Sequence, residues 1–317
     1  MTAMTSRQAA SAVLMIRPAA FGYNPETAAS NRFQRDDGGA ATERAAAGRA
    51  EFDRLCAALQ AEGVEVCVVE DTPVPPKPDA LFPNNWVSFH EDGTVVLYPL
   101  LGLSRRLERR DDVVPQVVAQ LGYPLRRILD LTHHETHGRF LEGTGSLVLD
   151  RVERRAFACR SPRTDVDVAA QWARELDYEL VLFDARGPDG APPYHTNVML
   201  WIGTHCAGVC AEAIATADRA RVLAALGSGG RDVVPLSLEA IAHFAGNMLE
   251  LGTWDEALGD ATVLVMSARA RAALDPATWV RLRAHVDGVL AVPVPTIETC
   301  GGGSVRCMLA EVPAVHA

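Results

Sequence analysis

The 317-residue sequence has no long apolar run, no surplus of positive charge and no cysteine framework, and each absence removes a class of function. Nothing approaches the roughly 18 consecutive apolar residues needed to cross a bilayer. The short run Val13–Ile16 is cut off by Arg17-Pro18, and no basic segment followed by an apolar core opens the chain, so neither a membrane span nor a secretory leader is expected. The balance of 30 basic against 40 acidic residues leaves a net charge of −10. Nucleic acid and anionic membranes both need a basic surface, so neither is expected as a partner. A small zwitterion needs only local complementarity and is not excluded.

The seven cysteines, Cys56, Cys67, Cys159, Cys206, Cys210, Cys300 and Cys307, are odd in number and show no framework or metal-ligand spacing. Cys206 and Cys210 lie in an apolar run and read as buried thiols. Such a set suits a reducing, cytoplasmic setting. The string His133-His-Glu-Thr-His137 lacks the His-Glu-x-x-His order of a zinc helix and reads as a solvated loop, so no metal and no cofactor are expected.

What is present is a repeating grammar of short strands and single helices. Residues 1–11 are polar or small and read as a flexible tail ahead of one domain over 12–317. Phe52, Leu55 and Leu59 mark one face of a helix over 42–62, and the β-branched run 64–69 reads as a strand. Further strands are expected at 95–98, 146–150, 155–159, 180–183, 198–202, 205–209, 263–267, 289–292 and 305–312. Helices are expected at 111–121, 167–176, 218–226 and 276–285. The class is mixed α/β. Residues able to do chemistry recur along it: Asn24, Asn85, Glu142, His195, Asn247 and Cys307 are spaced 52–61 residues apart, each beside Gly, Pro or Asn. That period suggests modules around an axis, each aiming one group at a shared centre.

The sharpest motif is Glu298-Thr-Cys-Gly-Gly-Gly-Ser-Val-Arg-Cys-Met308. Three glycines let the backbone approach a ligand closely, and Arg306 next to Cys307 favours the reactive thiolate. Cys300 competes for the role but has no cation beside it. His195, at the mouth of a strand, suits general acid/base work near neutral pH. Glu142 stands between an apolar run and two glycines, as a carboxylate pointing into a cleft does. Asp79 and Asn85 bracket Phe82-Pro-Asn84, where amides read neutral groups that both donate and accept. The run Ser104–Arg110 reads as a solvated charged face, with one arginine available to hold a substrate carboxylate.

Taken together, Phe82-Pro-Asn-Asn-Trp, Leu141-Glu-Gly-Thr-Gly-Ser, Tyr194-His-Thr-Asn-Val, Phe244-Ala-Gly-Asn-Met-Leu-Glu and the terminal Gly-Gly-Gly-Ser-Val-Arg-Cys-Met resemble the guanidino-group-modifying superfamily. That superfamily holds arginine deiminases, dimethylarginine hydrolases, dihydrolases and amidinotransferases, and the citrulline-utilisation hydrolases are the branch most resembled. The resemblance spans nearly the whole chain. It implies a five-bladed α/β propeller, the pentein fold, with pseudo-fivefold symmetry and a central site. It also implies Cys307 as nucleophile, His195 as acid/base and Glu142 as acceptor for a substrate N–H. Asp79 becomes a substrate-site carboxylate, and Arg163 with Arg105 or Arg106 grips an amino-acid carboxylate; Asn247 is grouped with the substrate-binding residues.

Members acting on guanidinium commonly carry carboxylates where this chain has Asn85 and Asn197. Amides instead donate to a ureido oxygen and to the oxyanion formed on attack. The expected reaction is therefore hydrolysis of a ureido amino acid, citrulline first, to ornithine, ammonia and carbon dioxide. Action on a guanidinium, by deimination, dihydrolysis or amidino transfer, is the alternative; a non-catalytic amino-acid-binding protein is a lesser one. Assembly into a homo-oligomer stays open.

Overall fold

The computed structural model describes residues 7–187, 190–255 and 259–313. Its strands run, in chain order, β1 Ala12–Arg17, β2 Glu65–Glu70, β3 Val87–Phe89, β4 Thr94–Leu97, β5 Arg127–Asp130, β6 Leu147–Asp150, β7 Arg155–Cys159 and β8 Glu179–Phe183. They continue with β9 Leu200–Ile202, β10 Cys206–Val209, β11 Asp232–Pro235, β12 Leu249–Asp255, β13 Gly259–Ser267, β14 Gly288–Val292 and β15 Ala310–Val312. They form five three-stranded sheets: β3-β4-β5, β6-β7-β8, β9-β10-β11, β12-β13-β14 and β15-β1-β2.

In every sheet the first strand named runs antiparallel to the second, and the second parallel to the third. A parallel neighbour needs a crossover, and helical segments supply it each time, at Ala41–Ala61, Val113–Leu121, Val166–Glu175, Thr216–Leu226 and 268–283. The last sheet is completed by the two ends of the chain, with Val13 opposite Glu311. Inner strands of neighbouring sheets touch, β15 with β3, β6 with β9 and β9 with β12. Inner strands β3, β6, β9 and β15 are buried throughout, whereas outer β5 is mostly exposed. This is the five-bladed α/β propeller that the resemblance implies.

Local sequence explains the helices. Phe52, Leu55 and Leu59 are fully buried along Ala41–Ala61, and Gly48 is required because a Cβ there would lie 2.2 Å from the Phe21 ring. Asp165 caps Val166–Glu175 by accepting from the N–H groups of Asp167 and Val168; Val168, Ala169, Trp172 and Ala173 form its buried face. No helix among the described residues is long and apolar enough to cross a membrane.

Two expectations about the chain's ends are corrected. Residues 7–11, read as tail, are packed, because Gln8 is buried and donates to the carbonyls of Leu149 (2.9 Å) and Ile202 (3.3 Å) while its Oε1 accepts from Arg151 N (2.9 Å). Three backbone partners from two blades outweigh the polar composition that suggested fraying. At the other end, Cys307 does not lie on a strand: Val305–Met308 is a single helical turn, and the strand begins at Ala310.

Candidate active site

Asn85, Glu142, His195, Asn247 and Cys307 each stand just before the inner strand of a different blade: β3, β6, β9, β12 and β15 in turn. The sequence period therefore reflects the fold. Asn24 departs from it, since it follows β1 and belongs to a segment, Asn24–Gln34, that lies across the site.

The glycine turn delivers Cys307. Gly302 adopts φ 62°, and a Cβ there would meet Asn31 Nδ2 at 2.6 Å and Gln34 N at 2.7 Å. A Cβ on Gly303 would lie 2.9 Å from the Phe82 ring and 3.3 Å from Cys307 Cβ. Ser304 Oγ donates to Glu298 (2.7 Å), and the Cys307 amide donates to Ser304 O (3.0 Å), which closes the turn. Arg306 does not reach the thiol, contrary to expectation; the turn sends it away, to Leu309 O (3.0 Å) and Glu311 (2.9 Å). Cys300 is buried beside Asp37, and burial pushes its thiol up to about 11.

His195 and Glu142 form a buried pair, with Nε2 2.8 Å from Oε2. Burial pulls His195 down to about 4 even though Glu142 opposes it. Burial by itself raises Glu142, but Arg163, His195 and Arg105 together hold it well below the usual carboxylate range. An ionised carboxylate only accepts, so the neutral imidazole carries its proton on Nε2. Nδ1 is then the free base, and no partner meets it. Glu142 was expected to take a substrate N–H; instead its oxygens accept from His195, Arg163 (3.1 Å) and Leu101 N (3.1 Å).

Of the two neighbouring arginines, Arg105 enters the site and Arg106 does not. Arg106 donates to Leu100 O (3.0 Å) and lies 3.3 Å from Glu135. Arg105 is held in a fork by Glu108 (2.9 and 2.8 Å) and donates to Asn85 Oδ1 (2.7 Å). Arg105 and Glu108 are both buried, so the charge run is not wholly a solvated face. Burial lifts the Glu108 carboxyl to about 7, against the pull of Arg105. Arg163 reaches Glu142, Thr27 O (3.1 Å) and Ser30 Oγ (2.6 Å). Asp79 Oδ2 accepts from Asn24 (2.8 Å) and Thr27 (3.1 Å), while Oδ1 is buried with no partner. Burial raises this carboxyl despite Arg105.

Asn197 and Asn247 stand beside the sulfur, their Nδ2 atoms 3.8 and 3.3 Å from Sγ, and do not line the cavity that Asp79, Asn85, His195 and Cys307 share. That cavity has a volume of about 20 Å³, room for about one water molecule. Thr27 and Asn31, from the Asn24–Gln34 segment, form part of its wall. Tyr194, missed in the sequence, donates to Gly302 O (2.7 Å) and lies against His195 with ring centroids 4.6 Å apart and the planes tilted by 44°. Its place next to His195 was the signal available. Glu108 was also missed, because no local pattern marks a glutamate whose partner is three residues back. His133–His137 forms one exposed-to-intermediate turn, and no group of three or more metal-ligating side chains occurs among the described residues.

Comparison with known proteins agrees with this fold. The family described as N,N dimethylarginine dimethylhydrolase, eukaryotic, matches residues 17–314. No curated protein matches. Among solved structures, the N-terminal domain of ArgZ, an arginine dihydrolase from the ornithine–ammonia cycle in cyanobacteria, superposes with a TM-score of 0.71 at 16% identity, over 96% of this chain and 98% of that one. AgrE, solved with ornithine and NAD⁺, gives 0.71 at 17% identity over 96% of this chain and 40% of its own greater length. A dimethylarginine dimethylaminohydrolase adduct gives 0.62 at 13% identity over 95% and 98%. At these identities the structural likeness speaks for the fold.

Proposed function

This chain belongs to the N,N-dimethylarginine dimethylhydrolase family of guanidino-group-modifying enzymes, hydrolases of C–N amidine bonds, and from that premise we propose that it cleaves an arginine-like α-amino acid at the guanidino carbon through a covalent intermediate on Cys307. The observation that carries the reading is the meeting, in one covered cavity, of the Cys307 thiol with a histidine whose Nδ1 has no partner.

The substrate charge follows from the buried ions. Arg105 pairs closely with Glu108 and Arg163 with Glu142, whereas Arg105 Nε stays 4.0 Å from Asp79 Oδ2, so the Asp79 carboxyl has no close cation and keeps one oxygen bare. A guanidinium supplies both the donor and the charge, and a neutral ureido group supplies only the donor. The expectation that citrulline is the substrate is corrected on this ground, and because the relatives named act on arginine or dimethylarginine.

In the first half-reaction Cys307 Sγ bonds to the guanidino carbon and the thiol proton passes to His195 Nδ1. Glu142 stabilises the resulting imidazolium. The C–N bond breaks as His195 returns that proton to the departing nitrogen. In the second, His195 takes a proton from water, the water oxygen bonds to the carbon, and the C–S bond breaks to restore the thiol. Arg163, and the one Arg105 Nη1 hydrogen not taken by Glu108, Asn85 or Phe82 O, are placed to take the α-carboxylate.

The amide of Asn85, which lines the cavity, favours a second reading. An uncharged amide tolerates a neutral ureido group as well as a charged intermediate, so the same site is able to carry a ureido product through another cleavage, as a dihydrolase does. The purified protein should be offered arginine, dimethylarginine and citrulline separately, with all products quantified by mass spectrometry. Consumption of a guanidino substrate is expected; ornithine among the products of arginine selects the second reading. Turnover of citrulline alone contradicts the charge argument.

A further inference from the structure

We propose that Asn247 is a catalytic residue that acts on the nucleophile rather than on the substrate, its side-chain amide donating to the Cys307 sulfur as the thiolate forms. The proposal rests on Cys307 being the nucleophile, as argued above.

The geometry of the amide is fixed from both sides. Asn247 Nδ2 donates to the main-chain oxygen of Asn197 at 3.0 Å and lies 3.3 Å from Cys307 Sγ. A carbonyl oxygen can only accept, so the NH₂ end of the amide must face Asn197, and its second hydrogen is left for the sulfur. Oδ1 lies 3.6 Å from Sγ, close enough to accept an S–H while the thiol is protonated. One side chain thus serves both states of the sulfur, accepting from the thiol and donating to the thiolate. Asn197 offers a weaker version: its Nδ2 is 3.8 Å from Sγ and is already engaged with Thr144 O at 3.2 Å.

The chain goes to some expense to put the amide there. Phe244, three residues earlier, sits at φ 65°, a left-handed conformation that a bulky aromatic residue rarely adopts. Gly246 packs against the backbone of the neighbouring blade, where a Cβ would lie 2.2 Å from Val198 O and 2.6 Å from Met199 Cα. The Asn247 amide hydrogen returns to Phe244 O at 2.8 Å and closes the turn. Asn247 itself is fully buried. A buried amide with one hydrogen aimed at a sulfur 3.3 Å away stabilises the anion by a charge-assisted hydrogen bond.

A neutral donor is apt here because ionised groups already crowd the sulfur. The charged or titratable side chains that face it across the site are Asp79, Arg105, Glu142, Arg163, Tyr194 and His195. The two carboxylates oppose a thiolate and the two arginines are committed to carboxylates of their own. Arg306, the cation adjacent in sequence, points to Glu311.

The test is the pH profile of Cys307 alkylation by iodoacetamide in the full-length protein, followed on the Cys307 peptide by mass spectrometry and read without substrate. In Asn247→Ala the half-maximal pH should rise by about one unit relative to wild type, a tenfold loss of thiolate at a given pH below the midpoint. Asn247→Asp keeps the shape of the side chain and guards against a folding failure; its carboxylate should raise the midpoint further. Asn197→Ala should move it less than Asn247→Ala. Unchanged profiles in both Asn247 variants, with wild-type melting behaviour, overturn the proposal. Because no substrate is present, a shifted profile upholds the role of Asn247 even if arginine proves inert, and arginine turnover with unshifted profiles upholds the substrate reading alone.

Discussion

A buried carboxylate oxygen with no donor, such as Asp79 Oδ1, carries a desolvation cost that a ligand is well placed to relieve. Replacing Asp79 with Asn removes the charge while keeping an oxygen for Asn24 and Thr27, which now meet Oδ2. For a guanidinium substrate this should raise KM by about 10- to 100-fold, the worth of a hydrogen bond to a charged partner, and should alter kcat less. A neutral ureido compound bound to the same variant should lose far less affinity. Equal losses for arginine and citrulline, measured by steady-state kinetics, would mean that Asp79 does not read substrate charge. Most residues at this scale were legible in the sequence, because a glycine, asparagine or proline lies within a few residues of each one: Cys307, His195, Glu142, Asp79, Asn85 and Arg163 all come to the site or its wall. The choice between Arg105 and Arg106 was not legible. It depends on which face of the short turn Leu103–Arg106 meets Glu108 and Asn85, and that is set by partners 20 residues away as much as by neighbours.

Short elements explain most of what the sequence concealed at the next scale. Strand β3 has three residues and β5 is bounded by Arg127 and Asp130; neither offers enough alternation to register as a strand. The stretch 305–312 looks continuous because Val305, Met308, Leu309, Ala310 and Val312 are all apolar and buried. Yet its first half is a helical turn whose hydrogen bonds run from Cys307 N to Ser304 O and from Leu309 N to Arg306 O. The difference matters chemically, since an extended strand would place Arg306 and Cys307 on opposite faces, whereas the turn brings Cys307 under Asn247 and sends Arg306 to Glu311. Long amphipathic helices were readable, as the buried Phe52, Leu55 and Leu59 show. The cover segment Asn24–Gln34 was not, because its ordering comes from contacts to Asp79, Arg163 and Gly302 that lie 55 to 271 residues away.

At the scale of the whole molecule, five copies of one supersecondary unit contribute one residue each to a common centre, and the first and last strands pair to complete a blade. Gln8 fastens this arrangement from the N-terminal segment by bonding to main-chain groups of Leu149, Arg151 and Ile202. Truncating it in Gln8→Ala strands buried groups in two blades and should cost about 1–3 kcal/mol of stability. An unchanged urea midpoint in that variant would mean that water satisfies those groups equally well. In the proposed mechanism, convergence of the blades turns Cys307 into a nucleophile toward a guanidino carbon. This is tested most directly by quenching wild-type protein in acid during turnover of arginine and mapping its peptides by mass spectrometry. A substrate-derived adduct on the Cys307 peptide, absent from Cys307→Ser together with turnover, is the predicted result. Consumption of arginine by the Cys307→Ser variant at the wild-type rate would contradict it.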